Sequence, residues 1–90
     1  MLDAVKAYTQ SVVVTDAVPV VLLESSDNRK SFVIHNSVGV LFVRLGGEAS
    51  AALHTFRLPT NATLEFGDFR GKVTAIKEAG QSAILITELH

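Results

Sequence analysis

The chain has 90 residues, of which 48% are hydrophobic, with 8 basic and 9 acidic side chains, a net charge of -1 and no cysteine. That length holds one domain near the lower limit for a single core; the cysteine count excludes disulfides and thiolate metal sites, and the near-neutral charge gives no general attraction to nucleic acid. A mean hydropathy of +0.34 is more apolar surface than so small a globule readily hides, which suggests a partner surface or a self-interface.

The first ten residues, MLDAVKAYTQ, lack a basic segment followed by an apolar run, so neither a signal peptide nor a membrane span is expected from them. Residues 2–8 are the best candidate for a helix, but a helix that short is marginal by itself. Residues 1–10 are therefore expected to form an N-terminal arm or a first edge strand, and residues 11–90 a single β domain.

From residue 12 onward Val, Ile, Thr and Phe recur in short runs that stop at Gly, Pro, Asn, Asp or Ser, which is the punctuation of strands and turns. Strands are expected over 12–15, 18–24, 31–36, 40–45, 53–58, 63–66, 72–77 and 83–89. In RKSFVIHNSVGVLFVRLG (29–46) the short connection after Asn36 predicts that the flanking strands pair as a hairpin, with Asn36 hydrogen-bonded in its turn. His35 shares a face with Val33 and is expected to be partly buried or at an edge, satisfied by a neighbour.

Alternation is cleanest at 53–58, where Leu53, Thr55 and Arg57 oppose His54, Phe56 and Leu58, and at 63–66, where Leu64 and Phe66 oppose Thr63 and Glu65. VPVVLLE, VLFVRL and AILIT are apolar on both faces, so each face should meet something: a second sheet on one side, and a loop, arm or neighbouring subunit on the other. About eight short strands with local turns point to an all-β antiparallel β-sandwich or jelly roll, with a small closed β-barrel as the competing architecture.

Chemistry-bearing patterns are sparse. His35, His54 and His90 have no metal-ligand spacing, the serines cluster in turns, and the carboxylate pairs Glu65/Asp68 and Glu78/Glu88 carry no acid-base motif. No catalytic, cofactor-binding or metal-binding residue is assigned. Arg57, Arg70 and Lys72 alternate with Phe56, Phe66 and Phe69 in the manner of single-strand binders, but Phe56 and Phe66 fall on core faces, leaving Phe69 as the exposed platform. The basic residues Arg29, Lys30, Arg44, Arg57, Arg70, Lys72 and Lys77 lie mid-chain and Asp3, Asp16, Glu24, Asp27, Glu78 and Glu88 nearer the ends, an arrangement expected to produce complementary pairing once strands adjoin.

Arg29-x3-Val33-Ile34-x-Asn36, Leu41-Phe42-Val43-x-Leu45-Gly46, Ala49-Ser50, Leu58-Pro59, Phe69-x-Gly71-x-Val73-x-Ala75-Ile76 and Ala79-Gly80-x4-Leu85-Ile86-Thr87-Glu88 together resemble the short all-β virion proteins of tailed phages, over residues 18–89. The resemblance implies a non-enzymatic capsid decoration, cement or head-fibre protein on the virion surface. Its partners would be the major capsid protein of the same phage and further copies of itself, as a trimer or dimer, with no nucleic acid, membrane or cofactor. Two rival expectations are a small ligand- or carbohydrate-binding module of a tail or fibre, with Tyr8 and Phe69 as its aromatic candidates, and a jelly-roll metal enzyme. The latter would need His35 and His54 to converge with a carboxylate.

Overall fold

The computed structural model describes residues 6–90, and within them all regular structure is β. Eight strands follow one another: β1 Ala7–Thr15, β2 Val20–Leu23, β3 Ser31–Asn36, β4 Leu41–Leu45, β5 Phe56–Leu58, β6 Ala62–Gly67, β7 Val73–Lys77 and β8 Gln81–Leu89. They form two four-stranded antiparallel sheets, ordered β1-β8-β3-β6 and β2-β7-β4-β5. Neither sheet closes into a barrel; they stack face to face as a β-sandwich.

The pairings β1·β8, β2·β7, β3·β6 and β4·β5 are nested one inside the next, as in a single long hairpin rolled up on itself. This is the jelly-roll order. Residues 7–10, expected as an arm or edge strand, are the opening of the edge strand β1; residues 1–5 of that expectation lie outside the described residues.

Strand alternation sorts the side chains. Val14, Phe32, Ile34, Ile84 and Ile86 from one sheet meet Leu41, Val43, Leu58, Val73 and Ala75 from the other in one continuous core, with Leu22 and Leu23 at its margin. Each of the Val, Leu, Ile and Phe side chains among them, withdrawn from water, stabilises the fold by ~1.5–3 kcal/mol. Both Leu22 and Leu23 are buried because the β2·β7 register shifts between Val21 and Leu23, and a bulge of this kind turns consecutive residues inward.

The hairpin expected across residues 36–40 does not form. β3 and β4 belong to different sheets, and the short segment between them turns a corner, with Gly39 at a φ of +72°. The physical reason is burial: Phe32 and Ile34 on β3 and Leu41 and Val43 on β4 all become buried by facing one another across the sandwich. Register in each sheet is set instead by distant partners, β8 beside β3 and β7 beside β4.

The strand expected over 53–58 shortens to Phe56–Leu58. Ser50 and Leu53 bond to each other's backbone in a turn, and Thr55 spends its hydroxyl on the Leu45 amide at 3.0 Å. Phe56 still faces inward, edge-on to Phe66 at 5.6 Å, but His54 leaves the face it was expected to share with Phe56 and Leu58. It lies on the outside of the second sheet, its ring 4.6 Å from that of Phe42.

Candidate functional site

Two buried cations stand at opposite ends of the sandwich, and both are built into the structure. Arg29, 0% exposed, precedes β3 and gathers two loops and strand β8. Its guanidinium donates to the carbonyls of Glu24 (2.9 Å), Phe69 (3.2 Å) and Gly71 (2.5 Å) and to Glu88 Oε1 (3.2 Å). The planar fork suits arginine to this work, because its donors point in several fixed directions at once. Arg29–Glu88 also joins one mid-chain cation to one end-of-chain carboxylate, as the charge distribution led us to expect.

At the other end Asn36 Nδ2 donates toward the carbonyls of Gly39 (2.7 Å), Leu58 (3.0 Å) and Pro59 (3.0 Å). The turn bond expected for Asn36 is thus one of three. Lys77 ends β7 beside it, donating to the Val38 carbonyl and lying 3.5 Å from Asn36 Oδ1. Burial disfavours the charged amine, so desolvation lowers the Lys77 pKa from 10.5. Neither buried cation was singled out by sequence reasoning as a core element, since isolated Arg and Lys read as solvated surface until their partners are known.

The histidines do not converge. His35, on the outer face of the β1-β8-β3-β6 sheet, bonds Thr63 Oγ1 at 2.9 Å, the neighbour-satisfied placement expected for it. His54 lies over the other sheet, its Nδ1 3.0 Å from the Ser50 carbonyl. His90 Nε2 lies 3.5 Å from Glu88 Oε1 without hydrogen-bond alignment. Among the described residues no group of three His, Cys, Asp or Glu side chains could hold a metal ion.

Phe69 is not the free platform the sequence suggested. It packs against the core, and its ring so closely approaches Gly71 that a Cβ there would stand 2.7 Å from Phe69 Cζ. Tyr8 is exposed, edge-on to the His90 ring at 5.1 Å.

The two outer faces differ. Over the β2-β7-β4-β5 sheet the loop between β4 and β5 folds back: Thr74 Oγ1 accepts from the Ala49 amide at 2.9 Å and donates to the Gly47 carbonyl at 2.5 Å, and Ala49 is buried. The second cover expected for VLFVRL is therefore a loop of the same chain. Over the β1-β8-β3-β6 sheet nothing in the described residues folds back. The registers place Thr9, Ser11, Val13, Ala83, Leu85, Thr87, Val33, His35, Thr63 and Glu65 on that face, with Val13 56% and Leu85 48% exposed. Glu65 is the one acidic or basic side chain among these ten besides His35. It is an open, nearly uncharged plane on which two large apolar side chains, Val13 and Leu85, stand exposed.

Beside this plane, edge strands β1 and β2 bound a cleft of about 370 Å³ lined by Gln10, Leu22, Glu24, Ser26, Glu88 and His90 among others. Gln10 Nε2 spans it to the Leu22 carbonyl at 3.3 Å. Among the described residues no helix is long and apolar enough to cross a membrane. Comparison with protein-family models, curated proteins and solved structures finds no match to this chain.

Proposed function

We propose that this chain is an assembly module: a non-enzymatic structural protein of a tailed-phage virion, decorating or cementing the outside of the assembled head. The observation that carries the reading is the uncovered outer face of the β1-β8-β3-β6 sheet, where Val13 and Leu85 stand exposed among threonines and other uncharged groups. An exposed, nearly uncharged face of this kind, with large apolar side chains in it, suits contact with another protein surface. The resemblance of residues 18–89 to short virion proteins names the partner, a major capsid protein, and the jelly roll is an architecture that viral shells use, although fold by itself selects no function.

Such a protein acts by mass action. Binding the assembled shell and not its free subunits lowers the free energy of the assembled state, and many copies multiply a modest contact. Calibrated peptide mass spectrometry of gradient-purified particles tests the reading. Copies in the hundreds per particle, together with a lower disruption temperature for particles lacking the chain, are expected; absence from particles overturns it.

A second reading, a small ligand-binding module on a tail or fibre, draws support from the polar cleft between β1 and β2. Binding to a glycan panel at millimolar sugar, lost when Gln10 is changed to Ala, would favour it over the shell reading.

A further inference from the structure

We propose that β1 is a self-pairing edge: two copies of the chain join β1 to β1, antiparallel, about a two-fold axis through Ser11, merging their β1-β8-β3-β6 sheets into one continuous sheet.

The four edge strands of the sandwich are not equivalent. β2 has four residues and a bulge, β5 has three residues with Arg57 at its centre, and β6 carries Glu65. These are devices that blunt an edge against pairing. β1 has none of them. Its nine residues, AYTQSVVVT, include no charge, no proline and no glycine, and among the described residues no strand pairs with its outer side. A strand of that length presents an edge of ~30 Å at ~3.4 Å per residue.

Hydrogen bonding at the start of β1 shows which groups are free. Lys6 and His90 exchange both backbone bonds, Lys6 N to His90 O at 3.0 Å and His90 N to Lys6 O at 2.8 Å. The β1·β8 register continues from that pair without a shift, and in an antiparallel ladder such reciprocal pairs recur at every second residue. Tyr8, Gln10, Val12 and Val14 therefore bond to β8, while Ala7, Thr9, Ser11, Val13 and Thr15 direct N–H and C=O to the open edge.

Those five positions are symmetric about Ser11. An antiparallel copy centred there sets Ser11 against the partner's Ser11, Thr9 against the partner's Val13 and Ala7 against the partner's Thr15, so every free donor and acceptor of the edge is matched. The same register continues one step beyond the strand and sets Lys6 against the partner's Asp16, opposite charges at both ends of the interface. Shifting the axis to residue 10 or 12 breaks the charge match and leaves part of the edge unpaired. Asp16 keeps an oxygen for this contact, since its Oδ2 accepts from the Gly80 amide at 3.0 Å. The occupant this edge fits in length, hydrogen bonding and charge is a second copy of itself.

The isolated chain suffices to test the inference, so its failure leaves the shell reading intact, and the reverse also holds. Sedimentation equilibrium is expected to give twice the 9.6 kDa chain mass. Because the chain has no cysteine, Ser11→Cys supplies a single thiol that meets its twin across the axis, at the ~5.5 Å Cα separation of a hydrogen-bonded pair, which a disulfide can bridge. Mild oxidation is expected to convert most of it to a covalent dimer, while exposed Leu53→Cys, far from the edge, stays largely uncrosslinked. Ser11→Pro removes an N–H that serves the open edge and not β8, so it is expected to yield a folded monomer, and Lys6→Asp to weaken the dimer most at low salt. A wild-type chain that stays monomeric at several hundred micromolar overturns the proposal. So does a dimer in which Ser11→Cys crosslinks no faster than Leu53→Cys.

Discussion

Arg29 carries more of the architecture than any single apolar residue. It is wholly buried, and its partners come from the loop after β2, the loop before β7 and the inward side of β8. Truncation would leave three carbonyls and a carboxylate without their donor. Arg29→Met is accordingly expected to cost ~3–5 kcal/mol in urea unfolding, a large part of the ~5–15 kcal/mol available to a domain. Arg29→Lys should recover only a minor fraction, because one ammonium cannot reach partners in separate directions. Lys77 makes an opposite prediction. Its pKa in the folded chain lies below 10.5 because burial disfavours the charged amine. Between the folded value and 10.5 the unfolded chain holds more protons, so stability rises with pH across that window. Chemical denaturation at stepped alkaline pH should show the rise in the wild-type chain and its loss in Lys77→Met. A wild-type profile that is flat or falls across the window would refute the desolvation argument.

The two sheets share a core but differ in what covers their outer faces. The loop between β4 and β5 covers one of them, held by the Thr74 hydroxyl, which accepts from Ala49 and donates to Gly47. Thr74→Val keeps the shape and removes both bonds. It is expected to cost ~1–3 kcal/mol for the Ala49 amide and Gly47 carbonyl left without a protein partner. Hydrogen exchange should quicken in residues 47–55 while the amides of β3, β7 and β8 keep their protection; uniform loss of protection would mean that the loop and the core unfold as one unit. The turn between β5 and β6 makes a smaller demand. Asn61 occupies the left-handed region at a φ of 63°, which asparagine tolerates and a β-branched residue does not, so Asn61→Val is expected to cost ~1–2 kcal/mol.

For the molecule as a whole, the proposed shell contact falls on the open plane of the β1-β8-β3-β6 sheet, apart from the core that sets stability. Leu85 is half exposed, so Leu85→Glu should change unfolding free energy by less than ~0.5 kcal/mol. The same substitution places a charge in the middle of the plane and, on the proposed shell reading, is expected to reduce attachment to purified particles at least tenfold, read by co-sedimentation. Undiminished attachment would move the contact to another surface. Two-fold pairing at β1 would double the plane without burying it, since the new bonds lie in the sheet and the plane faces away from the core. On the proposed shell reading, a dimer would offer the shell two equivalent contacts from one rigid body, the second forming at the high effective concentration set by the first.

Fold class was determined by the sequence itself. Runs such as SFVIHN and VTAIK, stopped by turn residues, leave few alternatives to antiparallel sheets, and most strand positions follow because local steric preference and two-residue alternation act over only a few neighbours; β1, expected over 12–15, begins at Ala7, and the strand expected over 53–58 keeps only Phe56–Leu58. His35 and the Asn36 turn bond were legible for the same reason. Tertiary structure alone decided what depends on distant partners. It placed β3 and β4 in different sheets, because burying Phe32, Ile34, Leu41 and Val43 across the sandwich satisfies more apolar surface than a local hairpin. It drew His54 onto Phe42 and Phe69 into the core, and it found for Arg29 four acceptors up to 59 residues away. Among the described residues it also left one sheet face and one nine-residue edge uncovered. No local pattern specifies these outcomes, because a side chain's burial is set by whatever the rest of the chain brings against it.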